Sequence, residues 1–386
     1  MTGCAVNGFV SDRFAAVRDI FEANFSEASD VGPDLGASFC ATVEGETVVD
    51  LWGGWADAQK TRPWERDTIA NVYSTTKTMT ALTALLLADR GELDFAAPVA
   101  KYWPEFAANG KARITVAHVM SHTSGLSGWR EPFSGADYYD WDKATRLLAA
   151  QAPLWEPGTA SGYHPYTFGF LIGEVVRRIT GRSLGTVFRD EIAEPLDADF
   201  WIGLPASEDH RVADLIPSAR PANAPEVRLT EIQRNALLDS LPEPDATLTR
   251  AWRGAEIPAV NGHGNARSIA LIQSIVANGG SVNGKRILSE AGCRRALEQQ
   301  IQGPDLVMTG IDVRFGLGYG LAPCALFKPV PPNPDTIFWA GGGGSLIVVD
   351  LNARATFAFA MNRMRRTLIG DERSFRLIEA MWEAMR

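Results

Sequence analysis

Apolar residues recur with helical period near the start of the chain. Phe14, Val17, Ile20, Phe21 and Phe25 fall on one face, which predicts a helix over Ser11–Glu27. Two β-rich runs follow, Ala37–Val43 and Glu46–Trp52, and the Glu44-Gly45 pair between them predicts a hairpin. Thr75 to Arg90 is rich in Ala and Leu and is stopped by Gly91, which predicts a long helix. From Glu92 to about Glu256 strand-like alternation is scarce. Helices are predicted there at Val116–Met120, Trp141–Ala150, Tyr166–Arg178 and Leu184–Ile192, between Pro/Gly loops. Pro217 to Pro244, rich in Pro and polar residues, reads as a surface excursion and a candidate lid. Ala266–Ala277 and Ser289–Gln300 look helical. Strands then return at Phe315–Leu321, Thr336–Ala340, Ser345–Asp350 and Thr356–Asn362, and an amphipathic helix closes the chain from Glu372 to Met385.

This order predicts an α+β fold. The hairpin and the late strands form one antiparallel sheet flanked by the N- and C-terminal helices, with a mostly helical domain inserted. The expected division is residues 1–91 and 257–386 for the α/β domain and 92–256 for the helical domain, with the active site at their interface.

Composition narrows the class. The chain has 386 residues, 46% hydrophobic and 22% charged, so a sizeable core is available. A net charge of -9 without a basic run argues against nucleic acid as a partner. No apolar stretch reaches membrane-span length, and the first residues have neither a basic nor an apolar signal-like region. Cys4, Cys40, Cys293 and Cys324 are widely spaced, with no CxxC, and read as free thiols of a cytoplasmic protein.

The candidate chemistry begins at Ser74-Thr75-Thr76-Lys77, an S-x-x-K match at the start of the Thr75–Arg90 helix. Residues i and i+3 share a helix face, so the lysine amine can reach the serine hydroxyl. A desolvated lysine near a helix N-terminus can be neutral enough to act as a base. With 20 serines and seven lysines, about 0.4 such matches are expected by chance, and an N-capping serine with a solvated lysine also fits. The context favours chemistry: an apolar run, Ile69–Tyr73, precedes Ser74, and Lys77 has no acidic residue at i+4.

Further motifs follow in order: Met120-Ser121-His122-Thr123-Ser124-Gly125-Leu126, Glu156-Pro157-Gly158, Tyr163-His164-Pro165 and Phe168–Gly173. Together with Tyr73–Lys77 they resemble the serine β-lactamase-like proteins of the class C fold, and within them the family VIII carboxylesterases. The resemblance runs from Gly36 to Asn362. It implies that Tyr163 shares or relays the serine proton, a role that a phenol acidified by a neighbouring lysine cation would suit. Pro165 stands where the family motif has Asn, which puts β-lactam amide recognition in doubt. Trp339-Ala340-Gly341, followed by Gly342-Gly343-Gly344-Ser345, takes the place of K-T-G. The resemblance assigns the oxyanion hole to the N–H groups of Ser74 and Gly342. Trp339 offers an apolar wall in place of a lysine, which favours neutral esters over anionic β-lactams.

Other features read as bystanders. Gly181-Arg182-Ser183-Leu184-Gly185 matches the nucleophile elbow G-x-S-x-G but follows a predicted helix, so Gly181 reads as a helix end and Ser183 as an N-cap. His118 and His122 lie at i, i+4 without a third ligand, so no metal is expected. His263 receives no role, and Trp155 and Trp252 are weaker wall candidates. The expectation is therefore a carboxylesterase for short-chain esters with an acyl-enzyme on Ser74. Lys77 and Tyr163 handle the proton, and Trp339, Gly341, His164 and Trp129 line the pocket. It needs no cofactor or metal, and its partner is a small-molecule ester. A β-lactamase, a D-amino-acid peptidase or an acyltransferase using the same site is the alternative.

Overall fold

The computed structural model describes residues 6–26, 33–218, 228–239, 241–243 and 245–386. Nine strands form one antiparallel sheet among the described residues. In chain order they are β1 (Val6–Val10), β2 (Gly36–Val43), β3 (Glu46–Gly54), β4 (Ile301–Pro304), β5 (Asp312–Phe315), β6 (Gly320–Ala322), β7 (Thr336–Ala340), β8 (Leu346–Asp350) and β9 (Ala355–Met361). Their spatial order is β1-β3-β2-β9-β8-β7-β6-β5-β4. The hairpin is thus zipped to the late strands by β2 against β9, with Phe39 opposite Phe359. Glu44 and Gly45 both take positive φ, as a two-residue hairpin turn with native strand twist requires.

Side-chain alternation divides the sheet between two cores. Phe39, Ala41, Leu51, Val348 and Phe357 face α1 (Ala15–Ala23) and the C-terminal helix α6 (Glu372–Met385), meeting Val17, Phe21, Ile378 and Trp382. Cys40, Ile347, Val349 and Ala358 face the other way, toward α5 (Ala266–Ala277). Behind α5 lies α2 (Thr76–Asp89), a central helix buried on nearly every side, with Lys77 and four threonines among its buried residues. The stretch 92–256 adds the helices Val116–Met120, Trp141–Ala150, α3 (Thr167–Thr180), Leu184–Phe188, α4 (Glu231–Leu237) and Arg250–Gly254, with one two-residue strand at Phe200–Trp201. No described helix is long and apolar enough to cross a membrane.

Several boundaries differ from the sequence reading. β1 was not predicted, because this edge strand has its three central residues exposed and no apolar alternation. The first helix begins with a tighter turn at Asp12–Phe14 and is α-helical only over Ala15–Ala23, while Glu27 lies outside the described residues. Phe315–Leu321 is not one strand. Gly318 takes φ +87° with its N–H on the Met120 carbonyl, so the chain turns between β5 and β6. Ser289–Gln300 holds only the short helix Glu290–Arg294 and one tighter turn before β4. The Pro217–Pro244 excursion, of which 219–227, 240 and 244 lie outside the described residues, contains α4, started by a Thr230–Gln233 capping box.

A buried ion cluster ties the two ends of the chain to the β7–β8 turn. Arg373, at the start of α6, donates to the Asp34 and Asp371 carboxylates and to the Gly343 carbonyl at 2.9 Å. Burial opposes the guanidinium charge, but the two carboxylates outweigh it and hold the pKa raised. Arg373→Leu leaves the buried Asp34 carboxyl without its partner, which is expected to cost about 3–5 kcal/mol of stability, readable by urea unfolding. A loss within error of zero would show that the cluster does not hold the turn.

Candidate active site

Ser74 sits in a one-turn 3-10 segment, Tyr73–Thr75, that leads into α2. Tyr73 takes φ +41°, a strained value for a residue with a side chain, and such strain is stored where surrounding contacts over-determine it. Those contacts include Ser345 Oγ, which donates to the Val72 carbonyl at 2.8 Å and lies 2.9 Å from Thr75 Oγ1. The Ser74 segment is therefore pinned to the β7–β8 turn. That turn is closed by Gly341 N–H on the Ser345 carbonyl, 2.9 Å, and Gly344 N–H on the Gly341 carbonyl, 3.1 Å. The Gly342 N–H has no acceptor among the described residues, and Gly342 lines the same cavity as Ser74.

Lys77 lies in the first turn of α2 and is 1% exposed. Its Nζ is 3.1 Å from Ser74 Oγ, 2.6 Å from the Pro165 carbonyl and 3.0 Å from the Ala259 carbonyl. Burial pushes its pKa well below the ordinary lysine value. A neutral amine has two N–H groups and one lone pair. The two carbonyls can only accept, so they take the N–H groups, and the lone pair is left for the Ser74 hydroxyl proton. Pro165, which replaces the family asparagine, thus supplies its main-chain oxygen to the lysine.

Tyr163 Oη donates to Ser74 Oγ at 2.7 Å. Its pKa is raised, chiefly by burial, with Ser74 and Trp339 opposing and the Asp305 charge adding to the rise. This corrects the expectation that the lysine acidifies the phenol. Tyr163 remains protonated, and Lys77 is the group whose shift favours the basic form.

His122 supports this tyrosine from below. Its carbonyl accepts the Gly162 N–H at 2.9 Å and its Nδ1 accepts the His164 N–H at 3.2 Å. The His122 ring lies edge-on to Tyr163 with centroids 4.9 Å apart, and the residue is held at φ +61°. Burial, then His164 and Lys77, push its pKa well down, so it packs as a neutral ring.

The cavity over Ser74 has a volume of about 250 Å³. Trp339 and Gly342 line it as expected from the sequence, with Leu237 and Leu241 around α4, Met308 beyond β4, and Met364, Leu368 and Ile369 after β9. The last six escaped sequence reading, since each is an ordinary apolar residue far along the chain from Ser74. The other predicted wall residues lie off the cavity. Trp129 stacks on Phe133 at 3.8 Å and donates Nε1–H to the Ala144 carbonyl, so it is a core residue. His164 is buried behind Tyr163. Its Nδ1–H meets the Gly162 carbonyl at 2.6 Å, Nε2 pairs with Ser124 Oγ at 2.7 Å, and burial pushes its pKa down to about 3. Gly341 lies beneath the wall, where a Cβ would come 2.0 Å from the Val72 carbonyl oxygen. Trp155 donates to the Ala160 carbonyl and Trp252 is fully buried, both outside the cavity.

The bystander motifs are structural. Gly181 ends α3 at φ +70°, and Ser183 caps the following helix and donates to Glu256. His118 completes a capping box with Thr115. His263 is buried in a small sheet opposite Asn71 and Trp201. Among the described residues no cluster of three or more His, Cys, Asp or Glu side chains could hold a metal.

The beta-lactamase family model matches residues 21–380. The chain belongs to the beta-lactamase family. It is 37% identical over 383 residues to the esterase/beta-lactamase LipL of Mycobacterium tuberculosis (strain ATCC 25618 / H37Rv), covering 95% of this chain and 85% of that protein. Esterase EstB of Burkholderia gladioli is 28% identical over 352 residues, covering 82% and 83%. Among solved structures, a family VIII carboxylesterase is 44% identical with a TM-score of 0.91, covering 98% of this chain and all of that one. A penicillin-binding protein homologue from Caulobacter crescentus is 40% identical, also with a TM-score of 0.91 and with the same coverage.

The two neighbouring glycines should respond differently to a methyl group. Gly341→Ala forces a backbone clash and is expected to cost about 1–3 kcal/mol and to lower activity. Gly342→Ala meets nothing within 4 Å and should melt like the parent. Equal melting temperatures for the two variants would show that the turn is not packed as described.

Proposed function

We propose that this protein is a serine carboxylesterase acting on short-chain esters through an acyl-enzyme on Ser74. The observation that carries the reading is the convergence of Lys77 Nζ and Tyr163 Oη on Ser74 Oγ, at 3.1 and 2.7 Å, in the floor of an apolar cavity. Ser74 Oγ attacks the ester carbonyl carbon while its proton passes to the Lys77 lone pair. The N–H groups of Ser74 and Gly342 hold the oxyanion. Collapse breaks the bond to the alcohol oxygen, which takes a proton from Tyr163, and Lys77 returns its proton to the phenolate. Water then attacks the acyl carbon, its proton passes through the same pair to Ser74 Oγ, and the bond between Oγ and the acyl carbon breaks to release the acid.

Esterase EstB and the family VIII carboxylesterase support ester hydrolysis over the alternatives, as does Trp339 in the cavity wall, while the name of LipL carries both activities. The β-lactamase, peptidase and acyltransferase readings use the same acyl-enzyme and differ in substrate or in the second nucleophile. The division into 1–91 with 257–386 and 92–256, with the site at the junction, belongs to this reading. It is supported by Ser74 and Gly342 coming from the first part and Tyr163 from the second. The cytoplasm is the proposed compartment, supported by the unpaired thiols of Cys40, Cys293 and Cys324.

A fluorophosphonate probe with peptide mapping is expected to label Ser74. Ser74→Ala should abolish hydrolysis of p-nitrophenyl butyrate while its melting curve is unchanged. Labelling at Ser183, or near-normal turnover of Ser74→Ala, would overturn the assignment. A chromogenic cephalosporin turned over faster than the butyrate would favour the β-lactamase reading.

The pH profile follows from the lysine. The base must be neutral, so activity is present above the Lys77 pKa and lost as pH falls through it. Burial has moved that pKa far down from 10.5, so the acid limb of kcat/KM should lie well below the ordinary lysine range. A limb at ordinary lysine pH would show that Lys77 is not the base.

A further inference from the structure

The loop that follows β4 enters the site above through Met308 in the cavity wall and through the Asp305 charge near the Tyr163 phenol. Its first residue, Asp305, is 1% exposed. One carboxylate oxygen, Oδ1, accepts three backbone N–H groups: Tyr163 at 3.1 Å, Val307 at 2.9 Å and Met308 at 2.8 Å. The other, Oδ2, is buried without a hydrogen-bond partner. Two of the three donors are local and close a turn of the kind any Asp or Asn can make. The third comes from the residue that carries the phenol, 142 positions earlier. Leu306 N–H also reaches the Ser161 carbonyl at 2.9 Å, so the loop grips the main chain on both sides of Gly162.

A buried carboxylate is costly, and its charge-assisted bonds offset that cost only where they exist. A neutral asparagine would close the loop as well. The bond to Tyr163 is thus in excess of what the turn needs. His122 binds the N–H groups of Gly162 and His164, and Asp305 takes the N–H between them, that of Tyr163 itself.

We propose that Asp305 is the positioning residue of Tyr163. It ties the main chain of the phenol to the loop that carries Met308. The reach of Tyr163 Oη to Ser74 is thereby set by the same loop that walls the substrate cavity. This rests on the ester-hydrolase reading of the site.

The test is a double-mutant cycle of Asp305→Ala with Tyr163→Phe, read as kcat and KM on p-nitrophenyl butyrate with thermal melts alongside. Asp305→Ala should lower kcat by about 10–100-fold, since small misplacements of a reacting group cost this much. KM should change by less than about threefold. Asp305→Asn, which keeps the Oδ1 acceptor, should recover most of the rate. On the Tyr163→Phe background, Asp305→Ala should add less than about twofold, because it acts through the phenol. Wild-type kcat in Asp305→Ala, or its full loss repeated on Tyr163→Phe, would overturn the inference alone. Wild-type kcat in Tyr163→Phe would overturn the reading of the site as well, so the two failures are distinguishable. If Asp305→Ala fails to fold, Asp305→Ser on the same cycle decides: a loss that vanishes with Tyr163→Phe supports the proposal, and an additive loss or no loss overturns it.

Discussion

A lysine buried beneath a serine is the constraint to which the rest of the site is fitted. Taking an ammonium group out of water costs several kcal/mol, so Lys77 in the first turn of α2 is driven toward its neutral form. The two carbonyls of Pro165 and Ala259 then use both N–H groups, and the one remaining lone pair faces Ser74. Each acceptor comes from a different part of the chain. The central helix, the start of α3 and the segment before α5 must all be in place before the lysine is poised.

The same requirement explains why so much of the surrounding structure is rigid. The Ser345 hydroxyl ties the β7–β8 turn to the residue before the strained Tyr73. Arg373 holds the next carbonyl of that turn from the opposite side of the sheet. His122 and Asp305 anchor three consecutive main-chain N–H groups around Tyr163. Ser74 is held by a helix, its free amide neighbour by the turn between two interior strands, and its phenol by a loop from the helical stretch. None of the three can shift without breaking buried hydrogen bonds, which is how a preorganised site is kept.

Burial also acts on Tyr163 and Lys77 in a way that their residue types alone do not reveal. It raises a phenol and lowers an amine, so one environment pushes the two groups in opposite directions. That favours the neutral amine and the protonated phenol, the forms that the proposed reaction requires. Trp339, whose ring centroid lies 5.4 Å from that of Tyr163, also lines the cavity over Ser74.

Features with a local cause were legible in the sequence. The S-x-x-K spacing needs only helix geometry, the Glu44-Gly45 turn only positive φ, α2 only its Ala and Leu content and the Gly91 stop, and α6 only its apolar period. The order of hairpin, helical block and late strands was enough to predict one antiparallel sheet. What escaped depended on partners distant in sequence. β1 exists because β3 offers an edge, the Phe315–Leu321 run breaks because Gly318 abuts Ala81 and Met120, and Trp129 is claimed by an aromatic core. Main-chain acceptors such as Pro165 and Ala259 leave no mark in a side-chain sequence. The sequence by itself determined which residues could do the chemistry, because nucleophile, base and phenol are side-chain types. Only the tertiary structure decided their protonation and their aim, because burial and long-range hydrogen bonds belong to the folded chain.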